Sequence, residues 1–168
     1  MVGRSVKTLT DEGASRVSFV AKPTTIGALR LLPAPDVGRS SPRLPGEFST
    51  YRVKVRLRSM KIEDDSDIHL VIADHTIATR TMIAEFPNTG CVRDAGATSR
   101  RKMAAARAAL LRSCGPAQTG RFRLLTGTAT ITGVAFFDVI HGQRGVAPNG
   151  IELHPVLSFK ATSRCSSR

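Results

Sequence analysis

The chain contains no tryptophan and one tyrosine, and aromatic residues make up only 5 % of its 168 positions. No stretch approaches the roughly 18 consecutive apolar residues that a membrane-spanning helix needs. No fixed-period repeat or heptad pattern indicates a solenoid or a coiled coil. Three cysteines are too few for a disulfide-dense scaffold, and none lies in a C-x-x-C pair of the kind that zinc ribbons use. The sequence therefore predicts an ordinary domain whose core is aliphatic.

The three cysteines and the amino terminus leave the compartment open. Cys91 and Cys114 flank a predicted helix and could form a disulfide if the chain doubles back between them. In the alternative, both are buried thiols and Cys165 lies in a frayed tail. Residues 1–5 lack the apolar core of a signal peptide, so we expect a cytoplasmic protein, with an exported mature form as the alternative.

Positive charge is in large excess along the whole chain. The sequence has 25 Lys and Arg against 13 Asp and Glu, a formal net charge of +12. Residues 51–61 hold five cations and no acid, and residues 93–123 hold eight cations against Asp94 alone. Such a domain attracts polyanions, of which nucleic acid is the commonest, although the charge could also serve solubility alone.

Proline and charge patterns divide the chain into three parts. Five of the nine prolines fall in residues 1–47, which we interpret as an amino-terminal arm that ends in a linker. Within the arm, residues 25–32 could form a short helix that Pro33 ends. Residues 48–160 are expected to form the folded domain, and the small, basic residues 161–168 a disordered tail.

The body of the chain predicts three strands, a helix and two further strands. Residues 51–58 alternate strictly between apolar and cationic side chains, which is the period of a strand with one buried face. Further strands are predicted over 68–73, 81–86, 127–138 and 151–159. A helix is predicted from an N-cap at Ser99 to Gly115 and Pro116. This order is that of the OB-fold, a five-stranded Greek-key barrel in which Gly127 and Gly133 would allow sharp coiling. An α+β sandwich is the alternative.

Acids and histidines recur at a spacing of two on these strands. Asp67 and His69 share one strand face, as do Glu152 and His154, whereas Glu85 ends the third strand. Carboxylate and imidazole donors suit divalent Mg, Mn or Zn, which can activate water and neutralise a phosphate. Solvated strand faces produce the same spacing without any site. The residues predicted to be catalytic are His69, Glu85, His141, Glu152 and His154. The predicted metal ligands are Asp67, His69, Asp138 and His154.

The predicted partner is DNA or RNA, bound through its phosphate backbone. The expected contacts come from the first strand and from the glycine-rich loop 141–150, namely Arg52, Lys54, Arg56, Arg58, Arg144 and Asn149. No G-x-S-x-G motif supports nucleophilic catalysis. We therefore expect a metal-dependent nuclease. The first alternative is a non-catalytic OB-fold module that binds DNA or RNA, and the second is an envelope or stress-response domain with another ligand.

Two resemblances accompany these patterns. The segments GVAFFDVIHGQ (133–143) and GVAPNGIELHPVL (145–157) resemble the carboxyl-terminal motif of a widespread, largely uncharacterised family of small bacterial proteins. Residues 6–11, 67–74 and 82–87 resemble other blocks of that family. The resemblance implies a bacterial source and a shared site region but no activity. The strand order also resembles staphylococcal-type nucleases, which carry a carboxylate metal site on an OB barrel, but the acids here do not follow their pattern.

Overall fold

Eight strands and two α-helices form the fold of this computed structural model, which describes residues 5–38 and 40–167. Short 3₁₀ helices at Ser5–Thr8, Ala14–Arg16, Pro45–Phe48 and Thr89–Val92 connect them. In chain order the strands and α-helices are β1 Ser18–Thr24, α1 Ile26–Leu29, β2 Ser49–Ile62, β3 Ile68–Asp74, β4 Thr81–Phe86, α2 Ala97–Cys114, β5 Arg123–Thr126, β6 Thr128–Phe137, β7 Ile151–Ala161 and β8 Ser166–Ser167.

Five of the strands close into a barrel. β2 pairs antiparallel with both β3 and β6, β3 pairs with β4, and β6 pairs with β7. The parallel pairing of β4 with β7 closes the ring. The longest helix, α2, lies in sequence between the third and fourth strands of this ring. The predicted fold, mainly β with a five-stranded barrel and one main helix, is confirmed.

Several boundaries differ from the predictions for local reasons. Helix α2 begins at Ala97 after Gly96, so Ser99 lies in its first turn and is not the N-cap. Strands β1, β5 and β8 were not predicted. Gly127 separates β5 from β6 at a φ of +107°, where a Cβ atom would lie 2.6 Å from the carbonyl oxygen of Arg164. That close approach explains why a glycine, and a break in the strand, occur there.

The end of the chain lies against the barrel where a disordered tail was expected. Cys165 forms a disulfide with Cys114, and β8 pairs antiparallel with β5. The cross-link ties the tail to α2, a pairing that neither sequence interpretation contained, and leaves Cys91 as a free thiol. The expectation about a signal peptide concerned residues 1–5, of which residues 1–4 lie outside the described residues, as does Arg168. Among those described, no helix is long and apolar enough to cross a bilayer.

The barrel interior is filled by aliphatic side chains from alternate positions of its strands. Val53, Val55 and Leu57 of β2 are buried there, together with Ile26 and Leu29 from the arm. Helix α1 of the arm is fixed to the barrel by Asp74, whose carboxylate accepts a hydrogen bond from the Gly27 N–H at 2.9 Å. Because these arm side chains enter the main core, the arm is part of the folded domain.

The outward-facing side of the barrel has two contrasting regions. On β2 the outward residues are exposed and lie beside threonines of β6; we call this the open face, and its members are Arg52, Lys54, Arg56, Thr128, Thr130 and Thr132. On β3, β4 and β7 several of the positions that alternate with core residues are polar but buried; we call this the covered face, and its polar members are His69, Glu85, Glu152 and His154.

The covered face is closed over by the amino-terminal 3₁₀ helix and by the loop 138–150. The Lys7 ammonium lies 5.1 Å from the centre of the Phe136 ring and 3.2 Å from Asp138. On the other side, Gly145 lies against Val71 so closely that a Cβ atom would be 2.5 Å from its Cγ1. The loop's glycine thus allows the backbone to cover β3.

Candidate metal and phosphate site

His69 faces two carboxylates with one ring nitrogen and a carbonyl with the other. Its Nδ1 lies 3.1 Å from Glu63 Oε1 and 3.2 Å from Glu85 Oε1. Its Nε2 lies 3.0 Å from the carbonyl oxygen of Arg144. Because a carbonyl only accepts hydrogen bonds, Nε2 carries a hydrogen, and the lone pair of the neutral ring lies on Nδ1, between the two acids. The orientation matches that of metal-binding histidines, which donate their second N–H to a carbonyl or carboxylate.

His154 occupies a similar but fully enclosed position on β7. Its Nδ1 lies 3.2 Å from Glu152 Oε1 and 3.3 Å from Glu85 Oε2, and its Nε2 lies 3.5 Å from Asp67 Oδ2. The contact with Asp67 is an ion pair without hydrogen-bond geometry, so Nε2 has no hydrogen-bond partner among the described residues. Asp67 itself is held in place by the backbone N–H of Asn88 at 2.6 Å.

Glu85 belongs to two groups of residues that could each hold a metal ion. The outer triad consists of Glu63, His69 and Glu85, and the inner triad of Asp67, Glu85 and His154. Within each triad the ligand atoms lie within 4.8 Å of one another. The β3–β4 register explains the shared member, since His69 and Glu85 are direct cross-strand partners. The structure therefore brings together four of the predicted site residues, Asp67, His69, Glu85 and His154, with Glu152 beside them.

Burial and charge act in opposite directions on the two histidines. Burial alone would lower the pKa of His69, but hydrogen bonds to Glu63 and Glu85 raise the pKa to about 10. In the same way burial lowers the pKa of His154, and the carboxylates of Asp67 and Glu152 raise that pKa to about 9. Burial raises the pKa of the Glu152 carboxyl. Without a metal ion both rings are therefore in the imidazolium form, with a hydrogen on each nitrogen and a positive charge, at neutral pH.

Two members of this cluster were missed in the sequence. Glu63 was not among the predicted site residues, yet its carboxylate bonds His69, and that bond holds the pKa of Glu63 down at about 2. The hairpin register could have identified it, because pairing Lys61 with His69 places Glu63 on the same face two residues later. Lys7 was not singled out as a site residue. Burial lowers its pKa, but Glu152 and the neighbouring acids raise the value above that of an ordinary lysine.

Three predicted residues lie away from the two triads. His141 is exposed in the loop 138–150, where its backbone N–H donates to Gln143 Oε1, and it makes none of the ion pairs described above. Asp138 pairs with Lys7 at the rim of the cluster and belongs to neither triad. Asn149, predicted to bind nucleic acid, is buried and donates to the carbonyls of Leu29 and Leu32 at the end of α1. Its side-chain amide already binds the arm, so the prediction that Asn149 contacts nucleic acid is wrong.

A cationic groove includes Arg144, the residue whose carbonyl oxygen contacts His69 Nε2. It has a volume of about 460 Å³, and its wall contains the predicted phosphate-binding residues Arg56, Arg58 and Arg144. Thr128 and Gly145 also line it. The other two predicted cations, Arg52 and Lys54, line a separate depression.

Phe122 connects the groove to His69. Its ring packs edge-on against the imidazole, with centroids 5.3 Å apart. The guanidinium of Arg144 lies 5.1 Å from the Phe122 centroid, and the ammonium of Lys61 lies 5.0 Å from it. Because the backbone carbonyl of Arg144 also contacts His69, one residue contributes both to the groove wall and to the orientation of the imidazole.

Comparisons with protein-family models, with curated proteins and with solved structures each returned no match to this chain. The function is therefore inferred from the arrangement of these side chains.

Proposed function

We propose that the protein binds the phosphate backbone of nucleic acid and hydrolyses phosphodiester bonds with a divalent metal ion held by Glu63, His69 and Glu85. The observation that carries the proposal is the position of His69 Nδ1, 3.1 and 3.2 Å from two carboxylate oxygens while Nε2 is bonded to a carbonyl. Two ligands bound at about 2.1 Å to one ion are separated by roughly 3.0 Å at a right angle and 3.4 Å in a tetrahedron. Nδ1 has that spacing to each of the two carboxylate oxygens, and the ligand atoms of all three residues lie within 4.8 Å of one another.

The donor set favours Mn²⁺ or Zn²⁺ over Mg²⁺. Imidazole nitrogen suits Zn²⁺ and its neighbours, and carboxylates suit Mn²⁺ as well, whereas Mg²⁺ prefers oxygen ligands and water. Glu63 is the most accessible of the three, with about 30 % of its side chain exposed, so substrate would approach from its side. A bound ion lowers the pKa of a coordinated water and neutralises charge on the phosphate. In the net reaction the oxygen of water forms a new bond to phosphorus while the bond between phosphorus and the leaving oxygen breaks. A proton from that water goes to the leaving oxygen.

The groove supplies the contacts that would hold the substrate. Arg56, Arg58 and Arg144 present guanidinium groups, which bind phosphate oxygens in pairs. Phosphate contacts of this kind fix the position of a nucleic acid without reading its sequence, so we expect little sequence preference.

The test is cleavage of plasmid DNA and of RNA by the purified protein with Mn²⁺, Zn²⁺ or Mg²⁺, and again after EDTA. We expect cleavage that EDTA abolishes, and a loss of more than about 100-fold in Glu63→Gln, beyond the 10–100-fold that a second-shell change causes. Asp64→Asn removes an exposed carboxylate from the same turn and should leave the rate unchanged. Absence of cleavage with every metal, or equal activity of Glu63→Gln, would overturn the proposal.

A second candidate, binding without hydrolysis, is favoured by the open face. There the cations of β2 lie side by side with hydroxyls of β6, and Lys160 of β7 continues the row as the partner of Thr130. A flat cationic surface of this kind could bind a polyanion with no use for the buried acids. Binding that falls steeply with salt, needs no metal and yields no cleavage would favour this candidate.

The disulfide between Cys114 and Cys165 supports an oxidising compartment. Disulfides persist outside the reducing cytosol, so of the two expectations for location we propose the exported form. A thiol titration of the denatured protein isolated from its source should then count one free cysteine, Cys91, and three free cysteines would contradict it.

A further inference from the structure

The inner triad contains a buried nitrogen that has an ion-pair partner, Asp67, but makes no hydrogen bond among the described residues. His154 is fully enclosed, and its Nε2 has no hydrogen-bond partner among the described residues. Buried polar atoms in folded proteins nearly always have a partner, in the protein, in water or in a bound ion. The nitrogen therefore indicates an occupant at this point of the covered face.

The other nitrogen of the ring shows which kind of occupant fits. Nδ1 lies at hydrogen-bond distance from Glu152 Oε1, 3.2 Å, and when it donates there the neutral ring has its lone pair on Nε2. That lone pair lies 3.5 Å from a carboxylate oxygen of Asp67. Two acceptors cannot bond each other, but a separation near 3.4 Å is that of two ligands around one tetrahedral ion with bonds of about 2.1 Å.

We propose that Asp67, Glu85 and His154 hold a second, buried divalent ion, and that Glu85 bridges it to the ion of the outer triad. Glu85 directs Oε1 towards Nδ1 of His69, at 3.2 Å, and Oε2 towards the ring of His154, where it lies 3.3 Å from Nδ1. Its carboxylate and the ligand atoms of Asp67 and His154 lie within 4.8 Å of one another, a set small enough to close around an ion. Glu152, hydrogen-bonded to Nδ1, is the second-shell carboxylate that orients the ring.

The inference rests on the proposed function only for the outer ion. Because the inner triad is enclosed, we assign its ion the role of holding the Glu85 carboxylate in place and balancing the charge of that carboxylate. Activation of water is assigned to the outer ion, beside Glu63. Paired ions that share a carboxylate recur in enzymes that cleave phosphate esters, where they stabilise both the attacking and the leaving oxygen. The arrangement here divides the two ions between an accessible and a buried position.

The experiment measures metal stoichiometry, independently of cleavage. The full chain is dialysed against Mn²⁺ and, separately, Zn²⁺, separated from free metal, and analysed for metal and protein content. We expect two ions per chain in the wild type, one in Glu63→Gln, and one in either His154→Gln or Asp67→Asn. Asp64→Asn, whose side chain belongs to neither triad, should retain two.

The outcomes separate this inference from the proposed function. Two ions per chain with no cleavage would keep the paired site and refute the hydrolase. Cleavage by a wild type that binds a single ion, lost in Glu63→Gln, would keep the hydrolase and overturn the second site. If His154→Gln fails to fold, the wild-type stoichiometry and Asp67→Asn still decide the matter, and two ions remaining in Asp67→Asn would overturn the assignment of its ligands.

Discussion

The covered face and the open face belong to one barrel and follow one sequence rule, yet they present opposite chemistry. On β2 of the open face cations alternate with core residues, and on β7 of the covered face Glu152 and His154 alternate with Ile151 and Leu153. On the open face Arg52 and Lys54 are solvated, and their charges can meet a polyanion. On the covered face His69 and His154 are enclosed by segments distant in sequence, and their neighbours are acids. The difference lies in what covers the strand and not in the strand itself.

Removing the charge of Glu85, which both triads share, should have the largest effect on the free energy of unfolding. Glu85→Gln leaves two buried imidazoles with one carboxylate fewer each. Breaking a buried charge pair on one side typically costs about 3–5 kcal/mol, and we expect the metal-free variant to lose that much free energy of unfolding in urea titrations. Asp94→Asn, an exposed carboxylate, serves as the control and should change stability by less than about 0.5 kcal/mol. Equal stability of the two variants would show that Glu85 is not part of a charged cluster.

Displacing the loop 138–150 from the covered face should have the next largest effect on the free energy of unfolding. Gly145→Ala places a Cβ atom against Val71 and forces an alanine to adopt a φ of +87°. The left-handed conformation costs about 1–2 kcal/mol and overpacking a further 1–3 kcal/mol. We therefore expect a loss of about 2–5 kcal/mol, with faster hydrogen exchange in the loop 138–150. Gly142→Ala, at the same φ but with open space around its Cβ, should lose only the conformational part.

Loosening the arm by acid should have a smaller effect. Burial alone would raise the pKa of Asp74, but hydrogen bonds from Thr76, Gly27 and Ile77 hold it at about 2, below the ordinary value of 3.8. Because the folded-state pKa is the lower one, this stabilisation is complete above pH 4 and is lost as the pH falls towards 2. The shift corresponds to about 2 kcal/mol. Unfolding titrations between pH 5 and pH 2 should show a smaller decline in Asp74→Asn than in the wild type, and parallel declines would contradict the assignment.

The open face should be the least sensitive in stability and the more sensitive in binding. Arg52→Ala with Lys54→Ala removes two exposed cations and should change the free energy of unfolding by less than about 0.5 kcal/mol. If both contact phosphates, the slope of log affinity against log salt should fall by about 1.8, or 0.9 per contact. Arg100→Ala with Arg101→Ala removes the same charge from α2 and should leave the slope near its wild-type value. An equal loss in both double variants would mean that only net charge matters.

Much of the barrel could be predicted from the sequence because its information is local. The alternation of residues 51–58 and the apolar strands 68–73 and 81–86 predict the pleat and the order of elements. The convergence of Asp67, His69, Glu85 and His154 followed from combining that order with the closed topology, since neighbouring strands place their outward residues together.

What could not be predicted depends on contacts between distant segments. Nothing in the composition of residues 5–8 indicates that Lys7 covers the acids, and nothing in the spacing of the cysteines indicates that Cys114 pairs with Cys165. The same applies to Asn149, a turn residue in sequence and a buried anchor of α1 in the fold. Each of these roles is set by how the arm, the loop and the tail pack on the barrel.

Anomalous diffraction from crystals soaked in Mn²⁺ would show whether the covered face holds a metal ion. We expect an anomalous peak about 2.1 Å from His69 Nδ1, in contact with the carboxylates of Glu63 and Glu85. The cluster without any anomalous peak, its two histidines still bonded directly to their acids, would contradict it.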